Sequence, residues 1–270
     1  MSITATNLTP EIGSEIRCDV ASLLQPETAA EVRRILQERG VVVFRALGLS
    51  NDQQLAFAGL LGTVRQEGEA GMMKITLDTR LNPTADFLKA SFQWHLDGTH
   101  EYTPIFASLL SGRVLSREGG QTHFANTHAA YDALSDAMKA RIADLKVEHS
   151  VEVSMLRGGV EPKEAYLNSW RSHGNKVHPL VWTHQSGRKS LVIGSHAWRV
   201  VGMEQDKSDA LINELLAWTT QERFVYRHDW QVGDLVIWDN GGVLHRVTPY
   251  AVDSGRMMHR TTLMGEEAFA

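Results

Sequence analysis

The chain has a single cysteine, Cys18, among 270 residues, so no internal disulfide can form. It has no long apolar run: the best candidates, "GVVVF" and "FASLLSG", are the size of strands, and no transmembrane helix is expected. It has no block of Lys or Arg, and its formal net charge is −5 with a sequence pI near 6.2. That balance argues against a nucleic-acid or anionic-membrane partner and leaves a small molecule as the expected one. The opening "MSITATNLTP" has neither a basic nor an apolar leader region, so the cytoplasm is the expected compartment. Repeats and low-complexity linkers are also absent. A hydrophobic content of 43% then suits one globular domain spanning residues 1–270.

What is present alternates in character. After Pro26, "ETAAEVRRILQERG" has helical spacing and ends at Gly40, a C-terminal cap. The β-branched "VVVFRAL" predicts a strand, and "LSNDQQLAFAGLLG" predicts a helix behind a Ser or Asn cap. From 64 to 93 the pattern dissolves, with a short strand at "MKITL"; a loop of that length reads as an active-site lid or a surface excursion. "ASLLSGRV" and "QTHFAN" read as strands around a glycine turn, and "THAAYDALSDAMKARIADL" as a helix capped by Asn126. The C-terminal half carries six short strand-like segments from "HPLVWTH" to "RMMHRTTLMG", interrupted by one helix at "SDALINELLAWTTQ". The expected fold class is mixed α/β with a mainly β core, a sandwich or barrel with helices packed outside.

The chemistry begins at "WHLDGTH". In an extended segment His95 and Asp97 point the same way, so an imidazole and a carboxylate converge on one ion. The tripeptide alone is more often a solvated turn or a hydrogen-bonded pair, and the metal reading needs a third ligand. His245 follows an Asn-Gly-Gly turn near the C-terminus; two histidines and one carboxylate with open positions suit a non-haem Fe(II) oxygenase. His100 is the alternative third ligand, but it leaves no role for the strand beyond His245. There Arg256 and Arg260 stand four apart on one face, about 13 Å between roots, and two arginines in an apolar strand call for anions.

"WHLDGT", "GGQTHFANTHAAYDAL", "WDNGGVLHRVTPY" and "SGRMMHRTTL", in this order, resemble the taurine dioxygenase and phenoxyacetate-herbicide dioxygenase (TauD/TfdA) family of Fe(II)- and 2-oxoglutarate-dependent oxygenases. The resemblance spans most of the chain and implies a double-stranded β-helix, or jelly roll. It implies iron ligands at His95, Asp97 and His245, with Arg256 and Thr122 holding the distal carboxylate of 2-oxoglutarate, and Arg260 gripping an anionic substrate. It implies oxidation by O2 to a hydroxylated product, succinate and CO2, with C–O, C–N or C–S cleavage where the hydroxylated carbon bears a heteroatom. Asp97 is the carboxylate that related halogenases lack, so halogenation is not expected. Relatives form dimers and tetramers, which implies a homo-oligomer. Phe92, Trp94, Tyr102 and the Met72-Met73 pair are apolar candidates for the substrate pocket, each also readable as packing. The rival readings are a Zn-dependent hydrolase on a cupin-like barrel and a non-catalytic binding protein; neither uses all the residues above.

Overall fold

The computed structural model describes residues 3–270. Two helices are set by their ends. Helix Pro26–Arg39 starts on its proline and stops at Gly40, whose φ of 73° is left-handed. Helix Asn51–Leu61 opens in a capping box: the Gln53 amide N–H donates to the Ser50 hydroxyl, and the Ser50 N–H donates to the Gln53 side chain. Between them, Val41–Phe44 is buried on both faces.

That strand joins a seven-stranded sheet in the order Thr4–Asn7, Ser14–Arg17, Val41–Phe44, Leu235–Asp239, Ala107–Val114, Met257–Thr262 and Met73–Ile75. Alternation along the strands divides its two faces. Val42, Phe44, Leu109, Leu235 and Ile237 pack outward against Val32, Leu36, Phe57 and Leu61 of the two helices. Val41, Val43, Leu110, Val236, Trp238 and Met258 face inward. There they meet Phe124, Tyr226 and Val243 of a second sheet, ordered Val225–His228, Thr122–Asn126, Val243–Val247. Each such side chain, fully buried, contributes about 1.5–3 kcal/mol of apolar transfer. The core is therefore mainly sheet, with helices outside, as composition and patterning predict.

Several elements differ from expectation. The helix expected from Thr127 onward is two, Thr127–Asp132 and Asp136–Ile142, because Ser135 caps the N-terminus of the second helix by accepting from the Met138 N–H. The strand expected over 41–47 ends at Phe44, where Ala46 and Gly48 take positive φ. Two short helices, Val151–Arg157 and Glu164–Ser172, lie in the half that reads as β-rich. Residues 64–93 are not one loop. Met73–Ile75 extends the large sheet with Met73 opposite Arg260, and Ala85–Phe92 forms 3-10 turns. No described helix is long and apolar enough to cross a membrane.

Candidate active site

His95 does not sit in a regular strand. It forms an isolated antiparallel bridge with His245, exchanging both backbone bonds: His95 N–H donates to the His245 carbonyl at 3.1 Å, and His245 N–H returns at 3.0 Å. Directly opposed residues project to the same face, so the two imidazoles meet with ring centroids 4.1 Å apart. The chain then turns at Gly98, φ 85°, where a Cβ would come within 2.8 Å of the Ile105 nitrogen. The turn leaves Asp97 between the rings: Oδ1 lies 3.6 Å from His95 Nε2 and Oδ2 lies 3.6 Å from His245 Nε2. One ligand atom from each residue lies within 4.8 Å of the other two.

The tautomer at His95 is set by its neighbour. Nδ1 lies 2.8 Å from the Gln93 carbonyl, which only accepts, so Nδ1 carries the proton and Nε2 presents its lone pair. Burial, followed by the charge of His245, lowers the His95 pKa to about 4. Burial opposes ionisation of Asp97, but His245 and the Arg260 guanidinium outweigh it and hold the carboxyl well below its usual range. His245 Nδ1 is buried without a protein partner. The bare Nε2 of His95, the Nε2 of His245 and one carboxylate are the donor types that fit a divalent first-row ion with positions left open.

A cationic pole lies along the same sheets. Arg256, 3% exposed, stands just before the Met257–Thr262 strand, with its guanidinium 4.6 Å above the Tyr250 ring and Nη2 donating to the Gly120 carbonyl. Among the described residues it forms no ion pair, and burial lowers its pKa. A buried guanidinium without a carboxylate fits an anionic guest. Thr122 is paired with Val247, two residues beyond His245. Its Oγ accepts from Trp230 Nε1 at 3.0 Å, which leaves the hydroxyl proton to donate elsewhere. Arg260 and Met258 share the inward face, while His259 turns away to Asn51 and Thr261 to Gln54. Arg260 Nη1 donates to Asp97 Oδ2 at 3.3 Å, and its buried Nε has no partner.

A cavity of about 340 Å³ opens beside the triad, lined by His95, Asp97 and Arg260 and roofed in part by Phe87, Leu88 and Met155. Of the expected pocket residues, Phe92 packs edge-on to Tyr250, beside Arg256 rather than in this cavity. Trp94 and Tyr102 are corrected. Successive residues alternate, so Trp94 faces away from His95 and stacks under Arg246 at 4.9 Å. Tyr102 is 68% exposed, with Lys176 over its ring. The methionines split: Met73 Sδ meets Arg260 Nη2, whereas Met72 is buried on the opposite face against Thr261. His100 is outside the triad, 3.3 Å from Glu101.

Four contributors have no local signature in the sequence. Trp230 orients Thr122. Gly194, φ 139°, lets the loop after Ile193 approach His95, and a Cβ there would lie 3.1 Å from His95 Cα. His149 and His196 stand on the cavity wall.

Comparison with known proteins gives consistent results. The model of the TauD/TfdA family, described as taurine catabolism dioxygenases, matches residues 4–262. The chain is 34% identical to an alpha-ketoglutarate-dependent 2,4-dichlorophenoxyacetate dioxygenase of Cupriavidus pinatubonensis over 98% of this chain and 99% of that one. It is 35% identical to a (S)-phenoxypropionate/alpha-ketoglutarate-dioxygenase of Sphingobium herbicidovorans, over 86% and 84%. Among solved structures, AAD-2 in complex with Mn(II) and N-oxalylglycine superposes with a TM-score of 0.87 at 33% identity, covering 100% of both chains.

Proposed function

Because the chain belongs to the TauD/TfdA dioxygenase family, we propose that it hydroxylates a small anionic organic substrate, using Fe(II), O2 and 2-oxoglutarate (alpha-ketoglutarate). The observation that carries this is the triad His95, Asp97 and His245, two of whose members, His95 and Asp97, line one cavity together with Arg260. The likeness to phenoxyalkanoate dioxygenases supports an anionic organic substrate. The finer fold reading, a double-stranded β-helix over residues 1–270, is supported by the two facing sheets and by the likeness to AAD-2. A cytoplasmic homo-oligomer remains the expectation, checked by fractionation and sedimentation.

In this reading His95, Asp97 and His245 hold the iron. When bound, the metal and its cosubstrate supply the oxidation, in which substrate C–H, O2 and 2-oxoglutarate become C–OH, succinate and CO2. The Gln93 carbonyl keeps the His95 proton on Nδ1, away from the ion. Arg256 binds the distal carboxylate of 2-oxoglutarate, and the Thr122 hydroxyl, fixed by Trp230, donates to the same group. Arg260 steadies Asp97 and turns its remaining N–H donors to the substrate anion. The segment Ala85–Phe92 acts as a lid, excluding water from the cavity through Phe87 and Leu88.

The test is anaerobic. Fe(II) and 2-oxoglutarate added to metal-free protein should give the weak visible band of their chelate, and phenoxyacetate or an alkyl sulfate should shift it. Bound iron without a band would remove the reading and favour a hydrolase or a binding protein.

A further inference from the structure

Two neighbours confine the side chain of Arg256. The first is Gly120, at φ 79°, whose backbone comes so close that a Cβ there would lie 2.9 Å from Arg256 Nε and 3.2 Å from its Cδ. The Gly120 N–H donates to the Thr248 carbonyl at 3.1 Å, which ties this backbone to the residue after the strand that carries His245. The second neighbour is Tyr250, whose ring lies over the guanidinium at 4.6 Å. Phe92, the last residue of the segment Ala85–Phe92, packs edge-on to that ring with centroids 6.1 Å apart and planes at 78°.

An arginine has a long stem, and its rotors must be fixed before the planar fork can grip a carboxylate. The bond from Nη2 to the Gly120 carbonyl, at 3.1 Å, leaves the plane of the guanidinium free to turn about it. An aromatic face removes that freedom, because its quadrupole attracts the cation and sets the plane against the ring. Tyr250 also lines an open surface groove together with Ser116, Pro249 and the exposed Asp253, whereas Arg256 does not line it and is 3% exposed. The one ring therefore meets both the guanidinium and the groove. A cation kept from water and from a competing carboxylate binds a guest anion more strongly.

We propose that Tyr250 is a positioning residue for the cosubstrate. The face of its ring, rather than its hydroxyl, holds the Arg256 guanidinium in the orientation that receives the distal carboxylate of 2-oxoglutarate and shuts it off from the groove. This rests on the role given to Arg256 under the proposed function. The consequence is selective: Tyr250 matters to a keto acid that has a distal carboxylate and is indifferent to one that lacks it.

The test is an anaerobic titration of the full chain with Fe(II) bound, read by the chelate band. 2-Oxoglutarate and pyruvate present the same keto acid to the ion, and only the first has a distal carboxylate. Tyr250→Leu should raise the dissociation constant for 2-oxoglutarate about three- to thirtyfold, the range of a cation–π contact, and leave that for pyruvate unchanged. Tyr250→Phe keeps the ring without the hydroxyl and should bind both acids as the parent does. Should Tyr250→Leu fail to fold, as read by circular dichroism, Tyr250→Met fills similar space without a ring and carries the same expectation. Equal weakening of both acids in a folded variant, undiminished affinity for 2-oxoglutarate, or a Tyr250→Phe variant as weak as Tyr250→Leu would overturn the proposal. The reading beneath it fails separately: iron bound to the parent chain without a band, or an Arg256→Gln variant with the parent's preference for 2-oxoglutarate over pyruvate, would remove the role of Arg256 and this proposal with it.

Discussion

His95, Asp97 and His245 each offer one donor atom, and removing His245 leaves one imidazole and one carboxylate, which hold a divalent ion weakly. His245→Ala should abolish stoichiometric Fe(II) binding and turnover together; retained iron at full occupancy would refute the triad. Arg256 is different, because its guanidinium touches no metal ligand. Arg256→Gln removes a charge-assisted contact of about 1.5–3 kcal/mol, so KM for 2-oxoglutarate should rise about ten- to a hundredfold with substrate preference unchanged. Cosubstrate titration of the variant checks this. Arg260 carries two roles at once, since it donates to Asp97 and faces the cavity. Arg260→Gln should therefore weaken both anion binding and Fe(II) affinity, while Arg256→Gln leaves iron affinity alone; equilibrium dialysis of iron separates the two arginines.

Elements bring these residues together through close contacts that side-chain volume limits. The 3-10 segment Ala85–Phe92 leads into His95 and packs on helix Val151–Arg157, whose C-cap Gly158 lies under Ala90. A Cβ on Gly158 would come within 2.4 Å of Ala90 Cα, a backbone atom that yields only if the whole segment moves. Gly158→Val should displace the lid: substrate affinity should fall at least tenfold, the order of a lost closure contact, while Fe(II) and 2-oxoglutarate still bind. Chelate-band titration compared with substrate titration reads the two separately. The caps, by contrast, were legible in advance. Pro26, Gly40, Ser50 and Asn126 stand where local hydrogen bonding demands them. Ser135 was missed as a break, since the apolar spacing runs through it and only the fold selects its capping role.

At the scale of the molecule, buried histidines tie stability to pH. His128, His149 and His196 have folded pKa values below the ordinary 6.5, mainly through burial, with His128 and His196 each near 3. The unfolded chain binds these protons first. Their contribution is complete above pH 6.5 and is lost as pH falls toward their folded values, at about 1.4 kcal/mol per pH unit for each group. Asp239 opposes them: burial raises its pKa from 3.8 to about 6, so its stabilisation is present below 3.8 and lost as pH rises through about 6. Three groups outweigh one. Tm should fall by many degrees from pH 7 to pH 5, and a flat profile would count against neutral buried imidazoles.

The residue types and their order determined the chemistry. Alternation of apolar and polar residues specified a mainly sheet core, and "WHLDGTH" with His245 named the three side chains that the fold brings together. Local periodicity also placed Arg260 and Met258 on one face, because a strand's parity is a property of the backbone alone. Tertiary structure decided what has no local code. It joined His95 to His245 by a two-bond bridge rather than a strand and turned Trp94 and Tyr102 out of the pocket. It also recruited Trp230, Gly194, His149 and His196 to the site. Those roles depend on which distant segments touch, and contact between segments is settled by packing of the whole chain.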